Sequence, residues 1–407
     1  MTYTDLLTGP CGAPKTMPDI QTMLSRTFNN FFESEKSSGI FLIFCTLLSL
    51  ALANSSLGPD YLSFWHAPVA GLTREHWVND GLMAIFFLFV GLELERELYS
   101  GELSNLKNAL FPIVAALGGI GVPASIHFML NSGTPTQAGT GIPMATDIAF
   151  ALGVLATLGS RVPASLKIFL TALAVIDDLG AIIVIALFYT AQFSPTYLAG
   201  ALVVFILLLI LNRAFKVMSV PVYLLGGALM WFFMFKSGVH ATISGVLLAF
   251  SLPFSAKAED EESPSHQLEN FLHKPVAFII LPLFALANTG LVIGPEWQNS
   301  LSSMNSWGII AGLVIGKPVG ISLASFLAVA MNVCRLPPDL KWRHIFGAGL
   351  LGGIGFTMSI FIANLAFAGR AEIIDASKLA ILLSSLAAGA LGFLWLKRSG
   401  DEIQAVV

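Results

Sequence analysis

The chain has 407 residues, 55% of them hydrophobic and only 11% charged, with 21 Lys+Arg against 25 Asp+Glu and a formal net charge of -4. A soluble domain carries about 25% charge, so these figures exclude an ordinary water-soluble enzyme and a disordered chain, and the acidic balance argues against a nucleic-acid partner. Apolar residues come in long blocks instead of alternating, which disfavours a β-barrel and predicts an all-α polytopic membrane protein.

In chain order, residues 1–37 carry Asp5, Lys15, Asp19, Arg26, Glu33 and Glu35 with no long apolar run, so they read as a cytosolic arm and not as a cleaved secretory signal. Phe28, Phe31 and Phe32 fit either a membrane-surface stretch or a solvated tail. Residues 38–396 read as a single transmembrane domain with twelve predicted spans. These are 38–54, 77–98, 109–129, 140–156, 166–189, 197–212, 219–236, 239–253, 271–292, 307–331, 344–367 and 376–396. The polar interruption at 254–270, with Glu259, Asp260, Glu261 and Glu262, is a cytosolic linker, and 397–407 a cytosolic tail. An even number of spans puts both termini on one side. Placing them inside gives the inner segments sixteen basic residues and the outer ones four, as the positive-inside rule requires. Cys11, Cys45 and Cys334 lie far apart and show neither disulfide nor zinc spacing.

Two spans are poor continuous helices. Pro143, Thr146 and Asp147 interrupt the fourth, and Gly352, Gly353 and Gly355 the eleventh. Interrupted hydrophobic segments in corresponding places of two halves point to an inverted-repeat transporter with its site at the bilayer midplane. The plainer account is that Gly and Pro are simply commoner in membrane helices.

The intramembrane charges sharpen the choice. Asp177 and Asp178 sit near the middle of the fifth span, where a charge costs about 2.5 kcal/mol or more. Adjacent helix residues point about 100° apart, so the two cannot do the same work: one can face a cavity and the other a neighbouring helix. Lys317, mid-span, is the obvious partner for the second. Asp147, with Thr146 and unwound carbonyls beside it, supplies hard oxygen donors suited to Na+ or Li+. Asp147 and Lys317 also suit the opposed ends of broken helices, which is their purely structural reading.

The segments Thr146-Asp-Ile-Ala-Phe-Ala-Leu-Gly, Ile176-Asp-Asp-Leu-Gly-Ala-Ile, Lys236-Ser-Gly-Val-His-Ala-Thr, Gly316-Lys-Pro-Val-Gly and Gly353-Ile-Gly-Phe-Thr-Met-Ser-Ile resemble those of the bacterial NhaA sodium/proton antiporters, and the likeness runs from about Ser38 to Leu396. The resemblance implies a twelve-helix inner-membrane exchanger with inverted three-helix repeats, spans 3–5 and 10–12, in which interrupted helices 4 and 11 cross. It assigns Asp178, Asp147 and Thr146 to the Na+/Li+ site and Asp177 with Lys317 to a buried ion pair. It places Glu93, Arg96, Glu97 and Glu269 in a pH-responsive cytoplasmic cluster and His240 near the outer face. Read without the family, Glu93 and Glu97 are a solvated helix end paired with Arg96, and His240 is an interfacial hydrogen-bonding residue. Glu95 departs from the pattern, standing where a basic residue is expected, as do His266 and Gln267. The segment from Leu57 to Trp77 is shorter than in members whose β-hairpin makes a homodimer contact.

The leading expectation is electrogenic, pH-regulated export of Na+ or Li+ in exchange for protons, by alternating access with ion and proton competing at buried aspartates. No cofactor is expected; the partners are the ions and the lipid bilayer. A sodium-coupled organic-anion symporter of the same architecture is the alternative. An intramembrane aspartyl protease is disfavoured, because the chain lacks a Gly-x-Gly-Asp segment and such an enzyme needs no mid-membrane lysine.

Overall fold

The computed structural model describes residues 20–189, 193–255, 263–295 and 297–404. Residues 256–262 of the expected linker at 254–270, and parts of the expected arm and tail at 1–19 and 405–407, fall outside that range. The chain order is α1 (Ile20–Ala53), α2 (Gly58–His66), β1 (Pro68–Val69), β2 (Leu72–Thr73), α3 (Arg74–Tyr99) and α4 (Leu106–Asn131). A 3-10 stretch, Gln137–Met144, then leads to α5 (Ile148–Thr157), α6 (Ala164–Phe188), α7 (Pro195–Arg213), α8 (Val220–Ser237) and α9 (Ile243–Ala249). The second half contains α10 (Pro264–Asn288), α11 (Met304–Ala330), α12 (Trp342–Gly352), α13 (Phe356–Ala366) and α14 (Ala371–Gln404).

Among the described residues nine helices are long and apolar enough to cross a membrane, and two bent pairs raise the figure to eleven. The count of twelve is therefore not reached. The expected eighth span, 239–253, holds only the seven-residue α9, roughly 10 Å of helix against a hydrocarbon core of about 30 Å. Gly238, at φ 81°, ends α8 in the left-handed region, and the Asn212 side chain donates to the Ser251 and Leu252 carbonyls just beyond α9 at 3.1 and 3.0 Å. Neither long helix, α1 nor α14, breaks at the domain boundaries expected near residues 37 and 396. Between α2 and α3 the short segment folds into a hairpin with strands of two residues each, pairing Pro68 with Thr73 and Val69 with Leu72.

The exposed faces are apolar, as a bilayer demands: Leu187, Phe188, Leu225 and Leu386 are among the large side chains left open. Within the bundle, small residues set the closest approaches. A Cβ on Gly118 of α4 would stand 2.2 Å from the Gly320 carbonyl oxygen of α11, and the converse distance is also 2.2 Å. The first helices of the two repeats thus cross backbone to backbone. Among the described residues three π-helical turns, at Trp77–Leu82, Val276–Ile280 and Gly312–Gly316, interrupt the regular ladder of α3, α10 and α11. Two of them adjoin Pro275 and Pro318, whose rings reject the regular bonding pattern.

Candidate functional site

Both interrupted spans are broken. The 3-10 stretch ends at Met144, residues 145–147 are irregular, and α5 begins at Ile148. On the other side α12 ends at Gly352 and α13 restarts at Phe356 after a bend of 46°. Gly353 is required there, because a Cβ would meet the Leu313 carbonyl oxygen at 2.3 Å. The breaks cross. Asp147 donates its backbone N–H to the Ile354 carbonyl at 2.6 Å, and the Ser359 hydroxyl donates to the Ile142 carbonyl at 2.7 Å.

Asp147 caps two half-helices at once. Oδ1 accepts from the Phe150 N–H at 3.1 Å, while Oδ2 accepts from the Thr357 N–H at 3.0 Å and its hydroxyl at 2.5 Å. The positive ends of α5 and α13 both meet this carboxylate, as dipole compensation would arrange. Thr357 carries no charge and follows an expected glycine break, so the sequence reading passed over it. Its only signal was a hydroxyl one residue past the break.

The second knot lies at the opposite, negative ends. Lys317 Nζ donates to Asp177 Oδ2 in a fully buried ion pair and to Thr146 Oγ1 at 3.0 Å. The Thr146 hydroxyl lies 2.6 Å from Asp177 Oδ2 and 2.9 Å from the Gly352 carbonyl, and its one proton serves one of them at a time. Thr146, expected among the ion ligands, thus contacts the ion pair. Asp178 is the exception. It is 2% exposed and its side chain makes no hydrogen bond among the described residues, whereas Asp177, whose Oδ1 is likewise buried without a partner, is held through Oδ2. It lies within electrostatic reach of Asp177, Asp147 and Glu93. A buried carboxylate among other acids, with only one lysine nearby, is costly unless a proton or a metal cation occupies it.

Towards the end of α3, Arg96 gathers three acids: Glu269 Oε1 at 2.8 Å from Nε, and Glu97 and Glu93 at 3.5 and 3.7 Å from Nη2. The pairing of Glu93 and Glu97 with Arg96 is present, but Glu93 is buried and Glu97 half-buried, so the end is not fully solvated. Glu95 accepts a hydrogen bond from the Ser265 hydroxyl at 3.2 Å. His240, at the opposite end, lies with Nε2 2.8 Å from the Tyr189 carbonyl oxygen, and Tyr189 donates its hydroxyl to the Ala138 carbonyl at 2.7 Å. That contact suits an interfacial hydrogen-bonding histidine.

Residues 29–396 match the family model described as Na+/H+ antiporter 1. A protein of Dechloromonas aromatica called Na(+)/H(+) antiporter NhaA is 76% identical, the match covering 93% of this chain and 98% of that protein. Proteins of the same name from Cytophaga hutchinsonii and Helicobacter pylori are 58% and 44% identical, over 93% and 92% of this chain and 97% and 96% of theirs.

Proposed function

Because the chain belongs to the Na+/H+ antiporter 1 family, we propose that this multi-pass membrane Na+/H+ antiporter works electrogenically, exporting Na+ or Li+ across a bacterial inner membrane with both termini cytoplasmic. Asp178 carries the reading: a buried carboxylate whose side chain has no hydrogen-bond donor, beside an Asp177 already held by Lys317 and an Asp147 already held by two half-helix N–H groups. Deprotonated, Asp178 receives the cation, with Asp147 adding negative charge nearby and Thr146 holding the adjoining backbone. Protonated, it releases the cation, so ion and proton compete for one place.

A cation entering beside Asp178 repels Lys317 and loosens its hold on Asp177, and the buried ammonium, no longer paired, gives up the second proton, so that more than one proton is coupled to each Na+. Each net charge moved is worth about 2.3 kcal/mol per 100 mV, so an inside-negative potential drives export. Rocking of the repeat bundle, α4 to α6 with α11 to α14, against the remaining helices exposes the site alternately. The Arg96 cluster, through Glu93, adjusts activity to cytoplasmic pH, and His240 responds at the outer face. No cofactor enters this scheme, lipid is its solvent, and a homodimer is compatible with it but, given the short Leu57 to Trp77 segment, not one held by a long β-hairpin.

The test is dequenching of a trapped pH dye in everted vesicles on adding Na+, Li+ or K+ at several pH values. Na+- and Li+-dependent dequenching that K+ does not elicit supports the proposal. No response to Na+ at any pH ends it.

A further inference from the structure

Three asparagines meet at the end of the bundle where α3 begins and α10 and α13 end, the external end in the proposed orientation. Asn79 and Asn288 pair reciprocally, Asn288 Nδ2 donating to Asn79 Oδ1 at 2.8 Å and Asn79 Nδ2 to Asn288 Oδ1 at 3.1 Å. Asn288 also donates to the Phe284 carbonyl at 2.9 Å and accepts from Asn364 Nδ2 at 2.6 Å. Every donor and acceptor that its buried amide offers is therefore used.

The partners divide unevenly between the two bodies that alternating access must separate. Asn79 on α3 and Asn288 on α10 lie outside the repeats and hold each other by two bonds. The same end of α10 is tied to α1 and α2 as well: the Tyr61 hydroxyl donates to the Leu286 carbonyl at 2.7 Å, Ser49 donates there at 3.0 Å, and the Asn54 side chain to the Leu291 carbonyl at 2.7 Å. Asn364, on α13, belongs to the repeat bundle and contributes one bond. A buried lysine of the same bundle, Lys378 on α14, interacts electrostatically with Glu75 on α3 across the same boundary.

We propose that the Asn364–Asn288 hydrogen bond is the latch that keeps the external side shut, breaking each time the repeat bundle rocks to expose Asp178 outward, while the Asn79–Asn288 pair stays intact as its fixed half. The proposal rests on the alternating-access reading above.

It is tested in the full-length protein with Cys11, Cys45 and Cys334 replaced by serine, carrying Asn288→Cys and Asn364→Cys together in proteoliposomes. Oxidation should cross-link the pair and abolish Na+/H+ exchange, and reduction should restore it. Failure to cross-link, or exchange undiminished by the cross-link, overturns the latch. Since Asn288→Cys also removes the partner of Asn79, Asn364→Ala isolates the single bond. In nanodiscs, hydrogen–deuterium exchange across residues 284–289 and 361–367 should rise about fivefold in this variant, as loss of one neutral hydrogen bond implies, with none in α7. Unchanged exchange in those segments overturns it too. If unmodified protein fails to exchange Na+ for protons, the functional reading falls, yet the hydrogen-exchange comparison still decides whether this bond holds the external end closed.

Discussion

Asp177 and Asp178 are consecutive, share one helix and are equally buried, yet their surroundings differ in kind. Asp177 has Lys317 and Thr146 on one oxygen; the Asp178 side chain has no hydrogen bond among the described residues. The roughly 100° turn between neighbours on a helix puts Asp177 against the crossing of the broken spans and Asp178 away from it. Identical chemistry thus becomes a paired charge in one case and an unpaired one in the other.

The sharpest way to break the contrast is to neutralise each acid. Asp178→Asn should reduce exchange roughly a hundredfold or more while the protein still inserts and folds, since loss of a buried charge from its counter-ion costs about 3–5 kcal/mol. Purified proteoliposomes decide it, and wild-type transport by this variant sinks the assignment. At Asp177 the cost should fall first on stability. Lys317→Met strands Asp177 as an uncompensated buried charge and should destabilise the protein by about 3–5 kcal/mol, whereas Lys317→Met combined with Asp177→Leu should recover most of that loss. Thermal unfolding in detergent measures both. Current on a solid-supported membrane then shows whether the double variant exchanges without moving net charge.

Much of this was legible in the sequence because charge in a membrane is conspicuous: two adjacent acids and one mid-span lysine demand partners, and Pro143 and Gly353 announce breaks. What the sequence concealed depends on neutral groups and on tertiary geometry. Thr357 and Asn364 cost little to place in a helix, so only their partners reveal them. That the Thr146 hydroxyl meets the Gly352 carbonyl and Lys317 depends likewise on tertiary geometry. The apolar run at 239–253 resembles a span by composition, yet the left-handed Gly238 and the Asn212 cap leave only seven helical residues there.

Thr357 offers a smaller perturbation on the Asp147 side. Thr357→Val removes the hydroxyl donor and keeps the N–H, so Asp147 loses one hydrogen bond worth about 1.5–3 kcal/mol to a charged acceptor. The apparent KM for Na+ should rise roughly tenfold or more with the maximal rate changed less. A rate loss at constant KM, measured by sodium-dependent dequenching, would instead show that Thr357 serves the motion of the half-helices.

The finest distinction concerns how many protons leave Asp178 and the Asp177–Lys317 pair when one Na+ arrives. Simple competition already raises the apparent KM up to about tenfold per pH unit of acidification for each proton displaced, at 1.36 kcal/mol per unit. Glu93 adds a handle, because its charge reaches Asp178 from the Arg96 cluster. A negative field attracts one Na+ and one proton equally, so with one-for-one exchange Glu93→Gln leaves the pH profile at a fixed Na+ concentration well above the alkaline KM where it was. With two protons displaced, the proton-loaded state carries one more positive charge than the sodium-loaded state, and removing Glu93 disfavours it. The profile should then move to lower pH. For charges on the order of 10 Å apart at an effective dielectric of about 20, the interaction is roughly 1–2 kcal/mol, so the shift should not exceed about one pH unit, and the pull of Arg96 on Glu93 reduces it further. An unshifted profile together with absence of current would reduce the pair to a single titrating acid, with Asp177 permanently bound to Lys317.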